Sequence, residues 1–509
     1  MKVNYDVLII GAGLSGIGMA CHLAKACPDK HVGIIERRSA IGGTWDLFRY
    51  PGIRSDSDMF SFGYKFRPWH ELKVLADGDS IRRYIVDTAR EYGVDRWIRF
   101  GLKILRASWS SDLQCWSVTA LKEQSGETVT LTARFLIPCT GYYNYDHGYL
   151  PDFPGFERFK GTRVHPQHWP ERLDYRGKRV VVIGSGATAV TLVPAMSGEA
   201  AHVTMLQRSP SYIFSVPAYD KISAVLQKLL PARSVYRMAR WRNIHLQRFI
   251  YKAAKRWPKR VRSWLLSHVE QQLGNATHMR HFAPEYNPWD ERLCAVPDGD
   301  LFKVIREGKA SVITDHIVTF TETGIRLKSG RTLEADIIVT ATGLQLQSLG
   351  GIEVQVDGQP RRAGDLMTYK SVLMQDVPNM ANLFGYTNAP WTLKVDLAAG
   401  YICRLLDHMD RHGYEVVTPR APAGEMLDET VMDSLRSGYV QRGRDGLPRQ
   451  GQALPWRVMH DFASDSEMLT KQPIDDSALE FTRAATARTT ADVGATAADV
   501  AASANDPVA

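Results

Sequence analysis

Two short glycine-spaced turns constrain this chain more than any other feature, one at the N-terminus and one near residue 184. The first lies in YDVLIIGAGLSGIGMACHLAKA. Its apolar run Val7 to Ile10 is short enough for a buried parallel strand, Gly11-x-Gly13-x-x-Gly16 follows, and an Ala-rich helical stretch comes next. Gly11 allows the tight turn, Gly13 lets a pyrophosphate approach the backbone, Ser15 lies at the turn, and Gly16 permits close helix packing. The next apolar run ends in Glu36, 20 residues beyond Gly16, where a carboxylate accepts from a ribose hydroxyl. Strand, turn, helix and distal acid together predict a dinucleotide site.

The second copy is KRVVVIGSGATAVTLVPAM, with a strand ending at Ile183 and a turn through Gly184, Ser185, Gly186, Ala187, Thr188 and Ala189. Here Gln207 and Arg208 stand where the first copy has Glu36, and a guanidinium at that place pairs bidentately with a 2′-phosphate. The first site is therefore expected to take FAD or NAD and the second NADPH, with hydride passing from NADPH to a bound flavin. The predicted fold is α/β, with two Rossmann-like dinucleotide-binding domains (FAD and NADP) and a helical insertion. The flavin domain spans 1–145 and 341–485, because the second TATG must return to the first sheet. The NADP domain spans 151–215 and 286–340, the insertion 216–285, and an Ala/Thr-rich tail, 486–509, is expected to be disordered.

At 44% hydrophobic and 23% charged residues, the chain can bury a large core. No apolar run reaches the roughly 18 residues needed to cross a bilayer, and no basic-then-apolar leader precedes the first strand, so a cytoplasmic location is expected. Six scattered cysteines without a CxxC predict buried reduced thiols and no metal site. IGGTWDLFRYPGIRSDSD has no cysteine, which excludes a thiol relay and leaves quinones, one-electron carriers or dioxygen to take the electrons. From Lys221 to Arg262 there are thirteen basic residues and no acidic ones, more than the whole chain's net charge of +8. Tyr236, Trp241, Phe249, Trp257 and Trp264 are interleaved with them. This pattern suits peripheral contact of residues 221–264 with the inner face of a membrane, or equally a helical cap over the active site. Nucleic-acid binding is not expected, since no reading module surrounds the segment.

The string Phe159-x-Gly161-x-x-x-His165-x-x-x-Trp169-Pro170, just before the second turn, resembles the fingerprint of type I Baeyer–Villiger monooxygenases. GGTW at Gly42 to Trp45, the following RYPGIRSDSD, CTG at Cys139 to Gly141 and DIIVTATG at Asp336 to Gly343 are similar to the same family. GYTNAPWTLK and YNPWDERLC resemble its actinobacterial, ethionamide-activating branch, and the likeness covers about residues 1 to 480. It implies an FAD- and NADPH-dependent enzyme that uses O2, through a C4a-peroxyflavin, to convert ketones to esters or lactones, with oxygenation of thioethers and thiocarbonyls beside it. It implies Arg292 as the active-site arginine and Asp56 as the acid that orients it. Thr44, Trp45, Asp46 and Leu47 would follow the flavin, Ile104 would meet adenine, and Arg54, Ser55 and Asp56 would face the nicotinamide. Ile183 to Ala189 with Gln207 and Arg208 would hold the NADPH phosphates, and His165 would couple the domains without touching substrate. Glu291 stands where many relatives have a lysine that also binds the 2′-phosphate, so Arg208 must carry more of the discrimination. The rival readings are a membrane-associated NAD(P)H:quinone oxidoreductase, an S/N-oxygenating flavin monooxygenase, and a lipid-anchored flavoprotein without catalysis.

Overall fold

The structure, a computed structural model, describes residues 3–274 and 276–483. The alanine-rich tail therefore lies outside the described residues. Tyr5–Ile10 forms the strand of the first turn, paired in parallel with Val32–Ile35 on one side and Thr128–Pro138 on the other. Eight strands make this sheet, in the order Gln359–Pro360, Glu353–Val356, Leu102–Ser110, Cys115–Lys122, Thr128–Pro138, Tyr5–Ile10, Val32–Ile35 and Ile98–Arg99. The second sheet has five strands, all parallel: Ala310–Thr314, His202–Gln207, Arg179–Ile183, Ile337–Thr340 and Thr162–Val164. The parallel strands Tyr5–Ile10, Val32–Ile35, Arg179–Ile183 and Ile337–Thr340 read as nearly unbroken apolar runs, whereas Leu102–Ser110 and Cys115–Lys122, antiparallel in the middle of the first sheet, alternate between buried and partly exposed positions.

Close backbone approach shapes both turns. Gly11 has φ +106°, and a Cβ there would sit 2.7 Å from the carbonyl oxygen of Cys139. Gly184 has φ +142°, and its Cβ would sit 2.3 Å from that of Ala341. The CTG and ATG segments thus each lie against one dinucleotide turn, a position only glycine tolerates.

GGTWDLFRYPG ties the two cores together. Leu47, Phe48 and Tyr50 are buried with the helix Ala187–Met196 of the second sheet, and a Cβ on Gly52 would lie 2.7 Å from that of Ala195. Asp46, buried, is instead paired with Arg38 at 2.7 Å and Arg49 at 2.6 Å on the first side.

The insertion folds as the helices Lys221–Leu226, Ala232–Arg256 and Pro258–Leu273. Proline at the first position of the last helix suits a site where no backbone donor is needed. The long middle helix turns cations inward. Arg240 donates to the carbonyls of Phe60, Ser61 and Gly63 at 3.1, 3.0 and 2.7 Å and lies 3.4 Å from Asp396. Arg242 pairs with Asp220, and Arg248 with Asp461 at 3.0 Å. Two expectations change here. Tyr236 is buried, its hydroxyl donating to the Tyr64 carbonyl at 3.0 Å, so it cannot belong to an outward aromatic face. Several of the thirteen cations are likewise structural ties rather than free charge.

Candidate functional site

The helix Leu14–Ala26 begins at Gly13 with no side-chain cap and no acidic residue in its first turn, leaving its N–H groups and positive end open to an anion. Gly16 could not be any other residue, since a Cβ there would fall 1.8 Å from the Gly11 carbonyl oxygen. Glu36 is buried beside the turn and accepts from the Ala12 N–H at 2.7 Å and the Arg38 N–H at 2.8 Å. Burial raises its pKa, and these backbone donors oppose the shift. Thr44 and Tyr145 share a hydroxyl contact at 3.2 Å next to Gly43, whose own Cβ would lie 2.9 Å from the Gly13 Cα. Ile104 is buried mid-strand, where the ladder with Cys115–Lys122 shifts register.

From this turn a chain of contacts leads to Arg292. The Ser15 hydroxyl accepts from the Trp391 indole N–H at 2.8 Å. Trp391 stacks on Tyr142, ring centroids 5.1 Å apart. The Tyr142 hydroxyl accepts from Arg292 Nη2 at 2.9 Å, and the Tyr439 hydroxyl accepts from Arg292 Nε at 3.0 Å. Asp56 Oδ2 lies 3.9 Å from Arg292 Nη1, an ion pair without a hydrogen bond. The guanidinium rotamer is therefore set by two phenols, with Asp56 adding field rather than direction. Those phenolic oxygens, Tyr142 first, raise the arginine pKa well above its ordinary value, against burial, so the group is permanently cationic. Burial in turn raises the Tyr142 pKa, and the Arg292 charge opposes that rise. Tyr439 reaches the site because its helix, Gly438–Gly443, follows a backbone bond from the Arg436 N–H to the Asp290 carbonyl at 2.7 Å.

None of Tyr142, Tyr439 and Trp391 stood out in the sequence. Tyr142 directly follows CTG and Trp391 lies in GYTNAPWTLK, so position relative to those segments was the available signal. Phenylalanine at 142 or 439 removes one of the two acceptors while keeping the ring. Each change is expected to lower oxygenated product per NADPH by about tenfold, the scale of one hydrogen bond to a charged group, with flavin content unchanged. Product yield and flavin absorbance measured on the same samples check this.

At the second turn, a Cβ on Gly186 would meet nothing within 4 Å, so open space faces the uncapped start of the Ala187–Met196 helix. Ser185 and Ser211 hydroxyls lie 2.9 Å apart, Ile183 and Ala189 are buried, and Ala187 is exposed. Burial pushes the pKa of the Tyr50 hydroxyl, which lies near Thr188, up to about 12. Arg208 is exposed at the end of its strand. Gln207 points the other way: its amide donates to the His281 carbonyl at 2.7 Å and the Thr314 hydroxyl at 2.9 Å, leaving it 2% exposed. Glu291 is half-buried within the field of Arg208; burial raises its pKa and Arg208 opposes the rise. Arg442 lies over the Tyr149 ring, 3.5 Å from its centroid, and its pKa is lowered by burial and then by Arg208. Arg54 is not drawn to Arg292; it pairs with Asp300 at 2.6 Å. Ser55 is buried and donates to the Ser57 carbonyl. His165 packs over Gly148 and accepts from the Gln167 N–H at 3.2 Å.

A family model described as flavin-binding monooxygenase-like matches residues 4–349. The chain belongs to that family. Among the relatives of this monooxygenase, the putative FAD-containing monooxygenase MymA of Mycobacterium tuberculosis is 60% identical over 495 residues, 96% of this chain and 100% of the relative. The FAD-containing monooxygenase EthA of the same organism is 50% identical over 485 residues, 95% of this chain and 99% of the relative. Its fold is similar to an oxidized steroid monooxygenase bound to NADP, with a TM-score of 0.75 at 21% identity over 94% of this chain and 99% of that one. It is also similar to an open form of cyclohexanone monooxygenase, with a TM-score of 0.69 at 20% identity over 82% and 90%. Among the described residues no helix is long and apolar enough to cross a membrane, and no His/Cys/Asp/Glu cluster suits a metal ion.

Proposed function

We propose that this flavin monooxygenase is a Baeyer–Villiger enzyme dependent on FAD and NADPH, converting ketones to esters or lactones and oxygenating sulfur in thioethers and thiocarbonyls. One oxygen atom of O2 enters the substrate and the other leaves as water, with NADPH giving the two electrons. What supports the reading is Arg292, a cation held by Tyr142 and Tyr439 and linked through Trp391 to the first dinucleotide turn. The names of EthA and MymA support the FAD and the monooxygenase class, and the two solved monooxygenases support the fold.

The residues present suit both cofactors. At the first turn the uncapped helix start would meet the FAD pyrophosphate and Glu36 the ribose. At the second, the open space before Gly186 and the exposed Arg208 suit NADPH, with Arg208 reaching the 2′-phosphate. When bound and reduced, the flavin supplies activated dioxygen. Arg292 contributes a fixed positive charge where negative charge develops on the transferred oxygen and on the attacked carbonyl. Tyr142 and Tyr439 keep that charge aimed, and the rings of Tyr142, Phe384 and Trp391 pack against one another behind it.

The test is product analysis by mass spectrometry with linear, cyclic and aryl ketones and with thioethers, together with O2 consumption. Esters or lactones formed with one O2 per NADPH are expected. Quinone reduction without O2 consumption would overturn the reading. Arg208→Ala is expected to raise the KM for NADPH at least about tenfold, the loss of one charge-assisted pair, with little effect on NADH. An unchanged preference between the two would remove Arg208 from the site.

A further inference from the structure

The insertion exposes large apolar side chains in addition to those it buries. Along the Ala232–Arg256 helix, Met238, Trp241, His245, Phe249, Lys252 and Arg256 are exposed at spacings of three and four, so they form one outward stripe. Trp241 is 65% and Phe249 67% exposed. The opposite face carries the inward arginines that tie the helix to the flavin side. The helices on either side of it, in contact with it, continue the pattern. Ile222, Val225 and Leu229 of Lys221–Leu226 and its C-terminal turn lie on one exposed line, and Trp257 and Trp264 are exposed beside Pro258–Leu273. A surface helix in water normally keeps large aromatics on its core face alone, whereas the Ala232–Arg256 helix buries Val235, Tyr236 and Ile244 and still leaves Trp241 and Phe249 outside.

The charge around these apolar side chains identifies the occupant. Lys221, Lys228, Arg233, Arg237, Lys259 and Arg260 are exposed and make no ion pair among the described residues. A second copy of the same face would bring these cations against each other. An anionic bilayer neutralises them while its headgroup zone takes up the indole, phenyl and leucine side chains. We propose that these three helices form a docking face for an anionic lipid surface, on which the enzyme lies peripherally. The face adjoins the active site: Lys255 donates to the Trp289 carbonyl at 3.2 Å and pairs with Asp290 at 3.0 Å, two residues before Arg292.

Co-sedimentation of the FAD-loaded enzyme with vesicles of phosphatidylcholine alone, or of equimolar phosphatidylcholine and phosphatidylglycerol, tests the proposal. Binding is expected only to the anionic vesicles, with blue-shifted tryptophan emission, and is expected to weaken in high salt. Lys259→Glu with Arg260→Glu is expected to lower partitioning roughly tenfold or more, and Trp241→Ser with Phe249→Ser to do so independently of salt. Both double variants lie outside the catalytic contacts and are expected to keep flavin content and NADPH oxidation, which separates lost docking from lost folding or chemistry. Equal binding to neutral and anionic vesicles, equal binding of the variants, or a dimer that Trp241→Ser with Phe249→Ser splits while no vesicles bind, would overturn it.

Discussion

Replacing Arg292 with alanine is expected to leave an enzyme that binds flavin and oxidises NADPH but releases hydrogen peroxide, with oxygenated product falling on the order of a hundredfold to a thousandfold. The argument rests on position and permanence. The guanidinium is held at two atoms by the hydroxyls of Tyr142 and Tyr439, and its proton cannot be lost at any working pH. Negative charge on oxygen that finds no fixed cation is instead quenched by a proton, and the oxygen leaves as peroxide. Lysine at 292 restores a charge but not the fork that reaches Tyr142 and Tyr439 together, so Arg292→Lys should recover only part of the product yield. The measurement is product by mass spectrometry against peroxide by a coupled peroxidase assay, per NADPH consumed. Product formation by Arg292→Ala at the parent rate would remove Arg292 from the chemistry.

The two dinucleotide turns could be read from the sequence because their geometry is local. A glycine whose Cβ would strike a backbone carbonyl is needed wherever strand, turn and helix pack this closely, and that requirement shows in a few consecutive letters. The setting of Arg292 is different in kind. Its partners Tyr142 and Tyr439 lie 150 and 147 positions away along the chain, brought together only by packing. Asp56 appears adjacent through resemblance, yet the structure leaves it at 3.9 Å and gives the orienting bonds to tyrosines. Gln207 shows a second limit: it stands at the ribose position in sequence, while the Thr314 hydroxyl and His281 carbonyl take its amide inward. In the insertion, spacing foretells a helix with two faces but not which face is turned in, because that depends on the carboxylates Asp396, Asp220 and Asp461 waiting on other elements.

The largest stability effect is expected from Lys394→Met, which should cost about 3–5 kcal/mol by leaving Asp465 as an uncompensated buried charge. The pair lies 2.8 Å apart with side chains 4% and 1% exposed, and Tyr386 adds a hydroxyl bond to Asp465 at 2.7 Å. Burial lowers the lysine pKa, and Asp465 opposes that shift by favouring the ionised lysine. Removing both charges should be milder than removing one. Lys394→Met with Asp465→Leu is therefore expected to regain most of the loss, short of the bond Tyr386 gives up. Lys394 sits three residues after Trp391 on the same helix, so its disturbance reaches the residue that joins Ser15 to Tyr142. Thermal unfolding followed by flavin release should then show the single variant losing flavin at a lower temperature than either the parent or the double variant. A single variant as stable as the parent would mean that the pair contributes nothing to holding this helix against the first turn.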